Sequence, residues 1–306
     1  MSELKKMPKI ALGAWAWGND GTFGGNLTSE QLHPVFDAAM QAGLNLWDTV
    51  YAYGMGTSEK VLGEFLRTVP RDSYLISDKF TPQCANLTVD NAVITMYDTS
   101  ATLLGTDYMD IYWIHNPVGA PEWTRKLIPL AKMGKIGRIG LSNHNLAEIK
   151  EAAEILKKEG LRISAIQNHY SLLNRSSEDS GILDYCKEND ITFFAYMVLE
   201  QGALSGKYDT QNLFPEGSDR AAVYNPMLPE LEKLNVCLKE IADKHGVAPA
   251  QVPVAWAIAG VTKVYQVEDA AKAAALELTV DEIAAMEKLA AGLSLNVIRY
   301  WEKEMK

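Results

Sequence analysis

Short apolar, β-prone runs alternate with helical stripes along this chain, and that alternation restricts its fold more than any other feature. Lys9–Trp15, Leu44–Trp47, Ser73–Ser77, Tyr108–Ile114, Arg138–Leu141, Ile163–Ile166 and Ile191–Ala195 read as seven strands. They recur about every 30 residues, the length of one strand with its helix. The stripe Leu32, Val35, Phe36, Ala39 and Met40 follows a capping box at Thr28 and Gln31 and stops at Gly43. Val61, Leu62, Phe65 and Leu66 make the next stripe, and helices over Thr88–Leu104, Trp123–Met133, Leu146–Glu159 and Ser177–Asn189 continue the series. Strict alternation demands parallel strands joined by helical crossovers. An open doubly wound sheet would announce a Gly-rich phosphate turn after its first strand, and Gly13 and Gly18 do not form one. The expected fold is an α/β (β/α)8 TIM barrel, with 1–306 as a single domain.

Beyond Tyr196 the pattern loosens. Residues 202–229 read as a long loop, followed by helices over Leu231–His245 and Pro249–Ala259. The barrel's eighth strand must then come from 260–267, directly after a helix, so it is shortened or re-formed there. A last helix starts at the capping box of Thr279 and Glu282, and 279–306 forms a C-terminal helix and tail.

Charge and composition narrow the function. A formal charge of −10 argues against nucleic acid or an anionic membrane as the main partner. No stretch has the length and apolarity of a membrane span, and the N-terminus has no apolar run of the signal-peptide kind. The cysteines Cys84, Cys186 and Cys237 are widely spaced, which suits thiols in a reducing cytoplasm. The histidines show no metal-ligand spacing, so no metal is expected.

The chemistry sits at strand ends. Asp48 closes the second strand with Tyr53 five positions on, Lys79 follows the third strand, and His115 follows the fourth. A phenol needs a nearby cation to bring its pKa toward neutrality, and a carboxylate can hold that cation in place. The C-terminal ends of successive strands are where a barrel of this class keeps its catalytic groups. An Asp–Lys pair alone reads equally well as structural, but the phenol and imidazole on neighbouring strand ends favour a catalytic reading. Trp15, Trp17, Trp113, Tyr224 and Trp301 are candidates to line a substrate mouth, against the plainer reading as core aromatics. His144 and His169 read as ordinary satisfied or surface histidines.

The segments LGAWAWG, WDTVYAYGMGTSEKVLGEFL, ISDKF, DYMDIYWIHNP, KIGRIGLSNHN, IQNHYSLLNR, FFAYMVLEQGALSGKY and GVTKVYQVEDAAKA together resemble the aldo-keto reductase family over nearly the whole chain. The resemblance implies a cytoplasmic oxidoreductase that reduces a small aldehyde or ketone with hydride from NADPH, with NADH as the alternative. It implies Tyr53 as proton donor, Lys79 and Asp48 as the pair tuning it, and His115 as the group orienting the carbonyl. It further implies Ser142, Asn143 and Gln167 at the nicotinamide carboxamide, with Tyr196 stacked on the ring. Leu199, Gln201, Leu204 and Ser205 would cover the pyrophosphate, and Lys263 would meet the 2′-phosphate. Gln266 and Ala270 stand where many relatives carry Arg and Asn, which puts the preference for NADPH in question. Ser142 and Asn143 have a plainer reading as caps of the following helix. The alternative function is a cofactor-binding regulatory barrel, or one impaired by an engineered deletion before Gly260 and assembled as a strand-exchanged oligomer; the first expectation is a monomer.

Overall fold

The computed structural model describes residues 4–23, 27–261, 275–299, 302, 303 and 305. Their strands are β1 (Leu12–Gly13), β2 (Leu46–Asp48), β3 (Leu75–Phe80), β4 (Met109–Ile114), β5 (Ile136–Ser142), β6 (Ile163–His169) and β7 (Thr192–Tyr196). They form one sheet in the order β1 to β7, and the pairs from β1–β2 through β5–β6 run parallel. An order that never reverses has no topological switch point, which excludes the doubly wound alternative and matches the (β/α)8 class. The first strand is shorter than its apolar run suggests, because Trp15–Gly18 turns into a 3-10 helix.

The helices between these strands are α1 (Ser29–Gln41), α2 (Thr57–Leu66), α3 (Ala92–Leu104), α4 (Ala120–Lys132), α5 (Leu146–Lys157), α6 (Ser176–Asp179) and α7 (Ile182–Glu188). After β7 come α8 (Asp219–Tyr224), α9 (Leu228–His245), α10 (Gln251–Val261) and α11 (Val280–Ala291). Both capping boxes form as their spacing predicts, Thr28 with Gln31 and Thr279 with Glu282. Helix α3 starts later than Thr88, because Thr88 donates to Asn86 while Asn91 accepts from the amides of Val93 and Ile94 as the cap. The 202–229 segment is less irregular than expected, since it contains α8, capped by Ser218. Gly260 and Val261 continue α10 instead of opening a strand. The rest of the expected eighth strand, 262–267, lies outside the described residues, as do Lys263, Gln266, Ala270 and Trp301.

The chain divides into two compact units, Met1–Gln167 with Asp184–Phe194, and Asn168–Leu183 with Ala195–Lys306. In the first, β3 and β4 are buried along their whole length, as strands covered on both faces must be. Ile111, Trp113 and Ala165 form a core joined by Met7 and Phe194. Gly140 makes room for Trp113, whose indole ring would collide with any Cβ there. In the second unit, Tyr170 stacks on Trp256 at 5.1 Å, and α9 packs against α10 and α11. Among the described residues no helix is long and apolar enough to cross a membrane, and Cys84, Cys186 and Cys237 are free thiols.

Candidate active site

Three strand ends of the first unit bring Asp48, Lys79 and His115 together with Tyr53. Successive side chains on a strand point to opposite faces, so Ser77 and Lys79 share one face of β3. Lys79 is 1% exposed, is paired with the Asp48 carboxylate and donates to the Thr49 carbonyl at 3.1 Å. Ser77 donates to the other Asp48 oxygen at 2.6 Å and accepts from the Trp113 indole at 2.7 Å. Gln167 reaches the same Asp48 oxygen at 3.4 Å. Asp48 is thus held by hydroxyl, amide and ammonium donors, which offset the cost of burying a polar group. Burial pulls the Lys79 ammonium down, but Asp48 and Tyr53 outweigh it and leave its pKa above the ordinary value.

Tyr53 lies in the turn after β2, with the Lys79 ammonium 5.4 Å from its ring centre. The turn closes on Gly54, whose φ is +64° and whose missing Cβ admits the Gly18 carbonyl oxygen. On its other side the phenol stacks on Trp15 at 5.3 Å and 9°, and Phe23 meets that indole edge-on. The expected depression of the phenol is outweighed: burial raises its pKa, while Lys79 pulls against that rise. Tyr53 is therefore a protonated phenol at neutral pH.

His115 follows β4, with its ring edge-on to Tyr53 at 6.5 Å. Burial, reinforced by the Lys79 charge, lowers its pKa to about 3, so the imidazole is neutral. Its Nδ1 lies 2.8 Å from the Thr81 hydroxyl, and its carbonyl accepts from the Asn143 amide at 2.9 Å.

The remaining expected contacts divide between the two units. Ser142 and Asn143 follow β5 and Gln167 lies on β6, and the Asn143 amide N–H donates to the Gln167 carbonyl at 3.0 Å. Asn143 is held at a φ of +63°, and its side chain also donates to Ser142. The capping reading of Ser142 and Asn143 does not apply, because α5 is capped by Asn145 and Glu148. In the second unit, Tyr196 stacks on His169 at 5.6 Å. Ser205 donates to the Gly202 carbonyl, and Leu204 is buried. Met197, Glu200 and Gln201 all have positive φ, between +48° and +60°, a backbone conformation that costs about 1–3 kcal/mol per residue. Buried Glu200 pins that loop by accepting from Tyr224 at 3.0 Å and from Ser171, and by pairing with His169 at 2.9 Å.

His169 is buried and satisfied at both ring nitrogens, by Glu302 at Nδ1 and Glu200 at Nε2, which fits the satisfied reading and not the surface one. Burial works against its charge, but Glu200 and Glu302 raise its pKa to about 10. His144 donates from Nδ1 to the Ser142 carbonyl at 2.7 Å. Of the proposed mouth aromatics, Trp15 reaches the phenol, whereas Trp17, Trp113 and Tyr224 are buried. Ser77 and Thr81 were missed; Ser77 lies two residues before Lys79 on its face of β3, where period-two alternation is the signal that finds it, and Thr81 follows the strand.

Residues 9–291 match the aldo/keto reductase family profile, more than nine-tenths of the chain. The chain belongs to the aldo/keto reductase family. It is accordingly an oxidoreductase of the nicotinamide-dependent kind. Among its relatives, a chloroplastic pyridoxal reductase of Arabidopsis thaliana is 30% identical over 92% of this chain and 82% of its own length. An NADP(+)-named aldo-keto reductase of Schizosaccharomyces pombe is 28% identical over 81% and 76%. Among solved structures, a glycerol dehydrogenase from Gluconobacter oxydans superposes with a TM-score of 0.76 at 23% identity, covering 96% of this chain and 95% of its own. An aldo-keto reductase from Klebsiella pneumoniae in complex with NADPH gives 0.68 at 24% identity, covering 92% and 91%. At that identity the structures speak for the fold, and the fold of this aldo-keto reductase is the (β/α)8 barrel.

The chain's donor groups fit a nicotinamide cofactor. Ser142, Asn143 and Gln167 are hydroxyl and amide groups of the type that pairs with a carboxamide. Gln201 has a buried side-chain nitrogen with no hydrogen-bond partner among the described residues, in the loop expected to cover the pyrophosphate. A buried donor of that kind costs about 1–3 kcal/mol until something accepts from it.

Proposed function

We propose that this aldo-keto reductase reduces a small aldehyde or ketone to its alcohol with NADPH, Tyr53 giving the proton to the carbonyl oxygen. The observation that carries this reading is the buried Asp48–Lys79 pair beside Tyr53, with the neutral His115 ring on a neighbouring strand end. A phenol above its ordinary pKa is protonated at pH 7, which suits donation in the direction of reduction. As negative charge gathers on the carbonyl oxygen, Lys79 stabilises the phenolate that donation leaves behind, and Asp48 keeps Lys79 charged and in place. His115 donates a hydrogen bond to the same oxygen and fixes the carbonyl's orientation.

Bound nicotinamide supplies the hydride. Ser142, Asn143 and Gln167 would orient its carboxamide, Tyr196 would pack on the ring, and Leu199, Gln201, Leu204 and Ser205 would cover the pyrophosphate. Lys263 would serve the 2′-phosphate in this scheme. The name of the Schizosaccharomyces pombe relative and the NADPH complex of the Klebsiella pneumoniae structure support NADPH over NADH. The indole of Trp15 covering the phenol's face favours flat, apolar carbonyl compounds.

Replacement of Tyr53 by phenylalanine tests the reading. NADPH-dependent carbonyl reduction should fall by about 10²-fold or more, while NADPH binding, followed by tryptophan fluorescence, stays within about twofold. Equal loss of both would show that Tyr53 supports the fold of the site and does not deliver the proton.

A further inference from the structure

A neutral imidazole has one N–H, and it can sit on either ring nitrogen. For His115 this choice decides its chemistry. With the proton on Nε2, the ring can donate to a substrate oxygen while Nδ1 accepts. With the proton on Nδ1, the nitrogen left for substrate is an acceptor and repels the oxygen it should hold.

The Nδ1 side of the ring faces Thr81. That residue follows β3, is 6% exposed, and has its hydroxyl 2.8 Å from Nδ1. Its backbone N–H is already turned to the Met96 sulfur at 3.3 Å. The hydroxyl brings one proton to this contact, and among the described residues His115 is its one hydrogen-bond partner. If Nδ1 carried the ring proton and donated to Thr81, the hydroxyl proton would be left buried without an acceptor. An unsatisfied buried donor is costly, whereas a hydroxyl oxygen with spare lone pairs is much less so. Donation from Thr81 to Nδ1 uses the proton and leaves the ring hydrogen on Nε2. The His115 backbone is held at both ends. Its N–H donates to the Phe80 carbonyl at 2.9 Å and its carbonyl accepts from Asn143.

We propose that Thr81 is a positioning residue that sets the tautomer of His115, keeping Nε2 protonated as the hydrogen-bond donor to the substrate carbonyl. This rests on the reading of His115 as the carbonyl-orienting group, but its first consequence is visible without substrate. The arrangement parallels the way a carboxylate or carbonyl fixes the tautomer of a histidine elsewhere, with the polarity of the contact reversed. Here the partner donates, so the nitrogen beyond it keeps its hydrogen.

Long-range ¹⁵N–¹H correlation spectra of the imidazole, on the protein with bound NADPH, are the test. The wild-type chain should show Nδ1 as the unprotonated nitrogen and Nε2 as the protonated one. Thr81→Val keeps the shape and removes the hydroxyl. It should move the ring toward the Nδ1–H form and lower kcat about tenfold, with NADPH affinity unchanged. Thr81→Ser should restore both the spectrum and the rate. A wild-type spectrum with Nδ1 protonated overturns the proposal whatever the variants do, as does a Thr81→Val spectrum identical to wild type. Should His115→Ala turn over at the wild-type rate while the spectra behave as expected, the tautomer assignment stands and the role given to His115 in the reaction falls.

Discussion

Two neighbouring residues of β3 solve the problem of a buried charge in opposite ways. Lys79 faces Asp48 and finds a carboxylate, a carbonyl and a phenol around it, and its charge is favoured despite burial. Asp78, one residue earlier, points to the other face, where it meets Glu59 of α2 beside Ser100 of α3. Both carboxyls are 0% exposed, and among the described residues none of their four oxygens has a well-formed hydrogen bond. Burial drives Glu59 up to about 7, and burial together with Glu59 drives Asp78 well above the usual carboxylate range. One face of the strand therefore holds an ion pair, and on the other burial raises the pKa values of two carboxyls, with Glu59 adding to the rise at Asp78. A single strand can carry both because its two faces are separate environments.

The largest effect should come from breaking the paired side. Lys79→Met leaves Asp48 buried with its ammonium partner gone. It should destabilise the chain by about 3–5 kcal/mol in denaturant titrations and reduce turnover at least about 100-fold. A well-folded Lys79→Met variant with normal turnover would erase the distinction between the two faces.

The unpaired side should respond with the opposite sign. An acid whose pKa rises on folding keeps its proton in the folded chain at pH values where the unfolded chain has lost it. Stability should therefore fall as the pH climbs from the ordinary glutamate value of 4.5 to about 7 for Glu59. Glu59→Gln carries no titrating proton, so it should flatten that slope and gain up to roughly 3 kcal/mol at pH 8, read from denaturation curves across pH. A slope that survives the substitution would assign it to other groups.

Ser77→Ala should have a smaller effect. It strips one donor from Asp48 and the acceptor from the Trp113 indole, both buried. A loss of about 1–3 kcal/mol is expected, with NADPH binding retained. The surface supplies the lower bound: Arg162 and Asp190 pair at 3.0 Å with both side chains mostly exposed. Arg162→Ala should change stability by less than about 1 kcal/mol, which would show that burial, and not pairing alone, separates the faces of β3.

Much of the site was legible in the chain because its parts are local. A strand end followed by a polar residue can be seen without knowing what lies opposite, which is how Asp48, Lys79 and His115 were found. Tyr53 with Gly54 was visible as a turn, and the capping boxes at Thr28 and Thr279 followed from spacing alone. The start of α3 was misjudged for an equally local reason. Thr88 and Asn91 are both good caps, and only the Thr88 bond to Asn86 decides between them. The depression expected for the Tyr53 phenol also failed, because the sequence names the nearby cation but says nothing of how deeply the ring is buried.

The sequence by itself determined the parallel α/β architecture, the family and the four strand-end residues proposed to carry the chemistry, since periodicity and strand-end polarity are written residue by residue. Only the tertiary structure decided what those residues experience. It placed Glu59 against Asp78, stacked Trp15 on Tyr53, closed Glu200 and Glu302 around His169, and set the Thr81 hydroxyl against His115. Each of those depends on the distance between side chains far apart in the chain and on the water excluded between them. Charge state, tautomer and pKa follow from that distance and that exclusion, and neither is a property of any one stretch of sequence.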